Sequence, residues 1–370
     1  MNSTLADSRN VVYFVRTDSL QKEARVARLF RALKEKGSDV EVFGIVKSED
    51  GFSYSYREYV CRSDSVRWKL LKVLLKLIEI QVTSLRTFRA HYRNRDLLII
   101  ANHEFLLVGL IIRLFTRMPV VVDLHEHYYT WLFGIKQFSQ FFFLRLFSGV
   151  IFANRPRAKE FLSDRAASKN VAIVRNFPQM RPGVVFAPRL CSDSLYRVGI
   201  VGGDVPGRYI GDSVRALDRP EFKNQIEIRT FGQPLGIRPA HVSIAEHGPY
   251  RHWEILELLK TVDSSLVFYD PHKTANNRLC EPNRFFEAYN SGLTIFCFDH
   301  SSLSEFYDEF CSVVDQHQFE VDLSRAMRMA IEDKMNRQRN LDSTIIVKRR
   351  LLVFDEGIEN LEFLVQIKRN

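Results

Sequence analysis

The chain has little of what small stapled or fibrous proteins are built from. Of its 370 residues only five are cysteines, Cys61, Cys191, Cys280, Cys297 and Cys311. That odd number, with no C-x-x-C pair, excludes a disulfide framework and a structural zinc cage and fits a reducing, cytosolic compartment. Glycine and proline are sparse, at 17 and 12, while 46% of residues are apolar, so a collagen-like or disordered chain is excluded. Long apolar runs are also missing: the longest uncharged one, Phe105 to Ile112, falls far short of the roughly 20 residues that span a bilayer. Met1 to Asn10 is polar and lacks the basic, apolar and small-residue succession of a signal peptide. The expectation is a protein that is not exported by that route and does not cross a membrane. No internal repeat or low-complexity tract is present.

What the chain does have is a basic surplus, and it is local. Fifty-three Lys and Arg face 44 Asp and Glu, a net charge of +9, and from Arg62 to Arg95 nine bases accompany two acids. Such a surplus attracts nucleic acid, anionic lipid or phosphate-bearing small molecules.

Apolar patterning alternates between strand and helix. Val11 to Val15 reads as a strand, Asp18 to Lys36 as a helix with apolar residues at 26, 29, 30 and 33, and Val40 to Phe43 as the next strand. The pattern repeats with strands at Leu97 to Ala101, Val120 to Val122 and Val150 to Ala153. Residues 177–194 carry Pro178, Pro182, Gly183 and Pro188 with little periodicity and read as a linker. A second series follows, with strands at Tyr196 to Val201, Ile226 to Phe231, Leu266 to Tyr269 and Leu293 to Phe298. This predicts an α/β protein of two doubly wound, Rossmann-like domains, 1–178 and 179–340, facing a central cleft where ligands bind at the strands' carboxyl ends.

Several clusters carry chemistry. Pro282 is placed to open a helix with Asn283 and Arg284 in its first turn, where free N–H groups, the helix dipole and a guanidinium favour a diphosphate. Glu287, one turn on, suits a ribose diol. The same pattern also fits an ordinary helix with solvated Arg and Glu. Gly202-Gly203, closing the first strand of the second series, lets backbone approach a phosphate with which Arg208 can pair, although glycines also simply make turns. In the first half, Asn102-His103-Glu104 and Asp123-Leu124-His125-Glu126-His127 both follow buried strands and would open onto the cleft. The alternation of Asp123, His125 and His127 fits a metal site or interface packing as well.

The segment Pro282, Arg284, Glu287, Gly292-Leu293 resembles the nucleotide-sugar segment of bacterial glycosyltransferases with the GT-B fold, similar to glycosyltransferase family 4. Thr294 stands where that family often has proline. In the family's order, Arg197 to Gly203 resembles its first strand and glycine loop of the C-terminal lobe, Val174 to Pro178 its hinge, and Ala245 to Tyr250 a further stretch. Together these cover about residues 10 to 310. The resemblance implies that Gly202, Gly203, Arg208, Asn283, Arg284 and Glu287 bind a UDP- or GDP-sugar, that His125 and Glu126 are catalytic, and that Asn102 and His103 bind the acceptor. Many members carry two glutamates eight positions apart; here that position is Leu279, so Glu281 or Asn277 would face the donor sugar. The resemblance also implies that residues 341–370, helical in pattern from Ile345 to Leu364, form a helix packing back on the first domain.

From Ser65 to Ile80, Lys69, Lys72 and Lys76 share one helical face opposite Leu70, Leu71, Leu74, Leu77 and Ile78, with Trp68 near the start. That composition fits an interfacial helix on anionic lipid, and equally a core-packed helix with a solvated basic face. Nucleic acid is not the expected partner, because aromatics are not interleaved with base-reading polar groups.

The expectation is thus a cytoplasmic, peripheral membrane glycosyltransferase, retaining if the resembled chemistry holds, acting on a glycan or lipid-linked acceptor in cell-surface polysaccharide biosynthesis without metal or other cofactor. Its rivals are a nucleotide-sugar epimerase on the same fold and a catalytically silent scaffold of a membrane polysaccharide complex.

Overall fold

The computed structural model describes residues 9–16, 24–35, 37–46, 56–60, 69–101, 103–124, 142–162, 170–175, 194–203, 207–250, 254–337 and 358–359. The chain divides into two compact units, Met1–Arg175 with Ile358–Asn370, and Asn176–Gly357.

The first unit holds an eight-stranded sheet made of β1 (Asn10–Arg16), β2 (Asp39–Val46), β3 (Tyr56–Val60), β4 (Leu97–Ile100), β5 (Val120–Leu124), β6 (Gly149–Phe152), β7 (Val171–Val174) and β14 (Ile358–Glu359). Its order is β14-β7-β6-β5-β4-β1-β2-β3, and every pairing is parallel except that of β14. All residues of β4 to β7 are buried, which is why they read as continuous apolar runs: helices cover both faces. Along β1 the side chains alternate. Val12 and Phe14 enter the core under α2 (Lys69–Thr87) and α3 (Leu106–Thr116). Val11, Tyr13 and Val15 meet α1 (Ala24–Glu35) through Val26, Leu29 and Leu33. A π-helical turn, Phe88–Tyr92, prolongs α2, and α4 (Arg155–Leu162) follows β6.

The expected C-terminal helix is corrected at the two residues of that segment that are described. Ile358 and Glu359 form a strand paired antiparallel with Val174 and Ile173. The reason is the sheet edge: without β14, β7 would present its outer N–H and C=O groups unpaired. The remainder of 341–370, and all of the 177–194 linker but Ser194, lie outside the described residues.

The second unit carries β8 (Tyr196–Val201), β9 (Ile226–Phe231), β10 (Ser243–Gly248), β11 (Ser264–Val267), β12 (Thr294–Cys297) and β13 (Cys311–Val313). They form a parallel sheet in the order β10-β9-β8-β11-β12-β13. Its helices are α5 (Ile210–Leu217), α6 (Ile255–Leu259), α7 (Ala275–Arg278), α8 (Asn283–Asn290) and α9 (Phe319–Arg337). From β8 the chain winds outward to β10, then returns to β11 and winds the other way. The winding reverses between β8 and β11, the topological switch point at whose carboxyl side α/β sheets bind ligands.

Candidate active site

At that switch point β8 ends in Gly202, whose φ of +91° is in the left-handed region glycine favours. Its N–H donates to the Phe231 carbonyl at 2.6 Å. Gly232, at φ +130°, closes β9 so tightly that a Cβ there would lie 2.9 Å from the Gly202 Cα. On its other side, a Cβ on Gly202 would collide with the guanidinium of Arg284. Gly202 is therefore held between the end of β9 and a cation reaching in from α8, and any side chain there would have to displace Arg284.

Arg208 approaches from the loop after β8. Its Cζ sits 5.4 Å from the centre of the Tyr269 ring, just past β11. The loops after β8 and β11 are joined by the Asp270 N–H, which donates to the Gly207 carbonyl at 2.9 Å. Next to Arg208, Tyr209 takes a left-handed φ of +51°, a strained choice for a large side chain. An edge contact with Phe298, at 4.9 Å between ring centres, and a tilted one with Phe319 hold it. Burial pushes the Arg208 pKa down, Tyr269 offsets part of that, and Arg284 pushes it down again, so two like charges face each other here. An arginine stays protonated under such shifts. Among the described residues neither guanidinium has a carboxylate within 4.0 Å.

α8 supplies the rest of the site. Pro282, with extended backbone, caps it, and the helix starts at Asn283, which is exposed. Arg284 reaches back to Gly202, and Glu287, half-buried one turn on, influences Tyr250. The Tyr250 hydroxyl is pushed up to about 12, by burial and then by the Glu287 charge, so it is a hydrogen-bond donor at neutral pH.

Behind this surface a polar cluster pins the chain that leads into α8. The buried His300 donates from Nε2 to the Asn277 carbonyl. Its Nδ1 is 2.6 Å from the Ser302 hydroxyl, which is 2.5 Å from the Cys280 carbonyl. Burial pushes the His300 pKa down and favours the neutral ring. The Asn277 side chain donates to the Asp270 carbonyl at 3.1 Å, so it braces the loop from within.

The structure thus brings Gly202, Arg208, Arg284 and Glu287 to one place, with Gly203 beside the Gln233 side chain at the rim. It does not bring Glu281 there: this carboxylate is 2% exposed, withdrawn into the unit. Asn283 is at the helix start and Asn277 is spent on the loop. Tyr250, Tyr269 and Lys273, whose chain lies against Gly207, join the site without having been singled out as site residues in the sequence. Their one sequence signal is position, in the loops that follow strands.

In the first unit, Asp123, next to last in β5, is buried and accepts a 2.8 Å hydrogen bond from the Tyr13 hydroxyl. His103 opens a 3-10 turn, His103–Phe105, after β4. Asn102, His125, Glu126, Trp68 and the His103 side chain lie outside the described residues, as do the side chains of Lys69 and Lys72. Lys76 is half-buried on α2.

No family model matches the chain, and no curated protein matches it. Solved structures do. HepE from Anabaena, in complex with UDP and glucose, superimposes with a TM-score of 0.61 at 14% identity, covering 97% of this chain and 98% of that one. A glycosyltransferase from Rickettsia africae gives 0.60 at 10% identity, over 95% and 99%. The N-terminal domain of a trehalose-6-phosphate phosphatase from Candida albicans gives 0.61 at 11%, over 95% of each chain. The fold is α/β, of the GT-B type. At these identities the likeness establishes architecture, and the chemistry rests on the site.

Proposed function

We propose that this chain is a glycosyltransferase that moves a sugar from a nucleoside diphosphate donor, a UDP- or GDP-sugar, to a glycan or lipid-linked acceptor in cell-surface polysaccharide biosynthesis. The observation that carries the reading is the Arg284 guanidinium set against the Gly202 backbone at the β8/β11 switch point, with Arg208 near enough to feel its charge and no carboxylate within 4.0 Å of either among the described residues. Two neighbouring cations, Arg208 partly desolvated, beside a glycine backbone and a helix N-terminus call for a doubly charged anion such as a diphosphate. HepE, which shares the architecture, is described with UDP and glucose.

On this reading the arginines act where charge develops. As the bond from the sugar to the diphosphate breaks, negative charge grows on the leaving oxygen, and fixed cations stabilise it without reorganising. Glu287 holds the ribose diol, and the Tyr250 hydroxyl donates within the same pocket. The first unit supplies the acceptor side, with Asn102 and His103 binding the acceptor and His125 and Glu126 at the reacting centre. Transfer retains the donor's anomeric configuration. The enzyme works at the cytoplasmic face of a membrane, where lipid-linked acceptors are presented.

The test is calorimetry with a panel of UDP- and GDP-sugars against wild type, Arg284→Ala and Glu287→Ala. Saturable binding of one donor, lost in both variants, supports the reading and names the donor for an acceptor search. Silence across the panel from a folded protein overturns it in favour of a scaffold.

A further inference from the structure

The sequence places an amphipathic basic helix near residue 70, and the structure shows which of its faces is covered. α2 turns Ile80 and Ser84 inward, and Phe88 continues that line into the core beneath. On the other side Leu74, Ile78 and Val82 follow one another at i+4 spacing and stand 56%, 50% and 40% exposed. α3 packs beside α2 on the same face of the sheet, both feeding one core. The Gln81 amide, donating to the Glu104 carbonyl at 2.6 Å, ties α2 to the turn that opens α3. α3 in turn presents Leu107, Leu114 and Phe115, the last 84% exposed. Scattered apolar side chains are ordinary on a surface, but six on the outward faces of two neighbouring helices form a patch that something covers.

The charge beside this patch is mostly positive. Arg86, Arg89 and Arg93 continue from the α2 stripe and Arg117 follows α3, all exposed. α3 contains no acid and α2 only Glu79. A second copy of the chain docked here would bring two cationic rims together, whereas an anionic bilayer offers an apolar interior beneath mobile phosphates.

We propose that the outward α2–α3 face docks on an anionic lipid surface, with Leu74, Ile78, Leu114 and Phe115 entering the acyl boundary and Arg86, Arg89, Arg93 and Arg117 at the phosphates. This deepens the membrane location proposed above and moves the contact from the lysine side of α2 to its apolar side and to α3. It needs no donor site to be tested.

The experiment is co-sedimentation of the full chain with phosphatidylcholine vesicles, with and without phosphatidylglycerol. Wild type should bind the anionic vesicles, bind neutral ones weakly, and release as salt rises. Leu114→Ser combined with Phe115→Ser should weaken partitioning by about tenfold or more, as should Arg86→Glu with Arg89→Glu. These side chains are exposed, so near-UV circular dichroism should be unchanged. Donor calorimetry on the same variants should also be unchanged, which separates failure here from failure of the transferase reading. No partitioning by a folded protein, or partitioning that both double variants retain, overturns the proposal. A concentration-dependent dimer abolished by Leu114→Ser with Phe115→Ser overturns it as well and assigns the face to a second copy.

Discussion

The two ends of the second sheet carry charge in opposite ways. At the amino-terminal end, Asp263 accepts from the Arg197 N–H at 2.7 Å and from Lys334 Nζ at 2.9 Å, and Lys334 also donates to the Leu195 carbonyl at 2.8 Å. The pair borders a cavity of about 210 Å³, yet its charges are met within the protein. At the carboxyl end, Arg284 lies against the Gly202 backbone and Arg208 stands over the Tyr269 ring within reach of its charge, with no carboxylate within 4.0 Å of either among the described residues. A closed network of charge points to stability and an open one to a ligand, so the cavity beside Asp263 and Lys334 is the weaker candidate for chemistry.

This contrast is open to breakage from both ends. The largest expected effect on stability comes from Asp263→Ala, which leaves Lys334 buried without its counter-ion and should cost about 3 kcal/mol or more in urea unfolding. Calorimetric donor affinity, corrected for the folded fraction, should stay the same. If affinity fell with stability intact, the amino end would not be merely structural. Arg284→Ala should do the reverse: donor binding weakened by about thirtyfold, equivalent to about 2 kcal/mol, with little change in the unfolding midpoint.

Gly202→Ala probes both properties together. The left-handed backbone and the displaced Arg284 should lower stability by about 1 kcal/mol and donor affinity along with it, whereas an alanine elsewhere on β8 should affect stability alone.

The smallest effect is one of pH. The buried His300 has its pKa pushed below the ordinary 6.5, so the unfolded chain takes up its proton first as pH falls. Stability from this group is fully present above that ordinary value and declines below it, toward the depressed native pKa. Thermal midpoints across that window should slope less in His300→Gln than in wild type, and hydrogen exchange over residues 277–282 should quicken in the variant.

Much of the fold was legible from the residues. Strands buried on both faces need continuous apolar runs, and the runs at Leu97, Val120, Tyr196 and Ile226 all became strands. The apolar positions 26, 29, 30 and 33 are all buried on α1. The site was partly legible, since Gly202, Arg208, Arg284 and Glu287 announce themselves by following strands or opening a helix. Glu281 shows where this stops: it is the nearest carboxylate to the position where the resembled family has one, but burial is decided by what packs around the loop. α9, which fixes Ser324 Oγ on the Ala216 carbonyl at 2.9 Å, was not anticipated at all.

The sequence by itself determined the alternation of strand and helix, the two doubly wound series and the glycines at their turning points. These follow from local periodicity and backbone sterics, which need only near neighbours. The tertiary structure alone decided that Arg284 meets Gly202 from 82 positions away, that Ile358 and Glu359 complete a sheet edge as strand, and that α2 leaves leucines in the open. Each of these depends on which distant surface arrives to cover a group, and no local pattern carries that information.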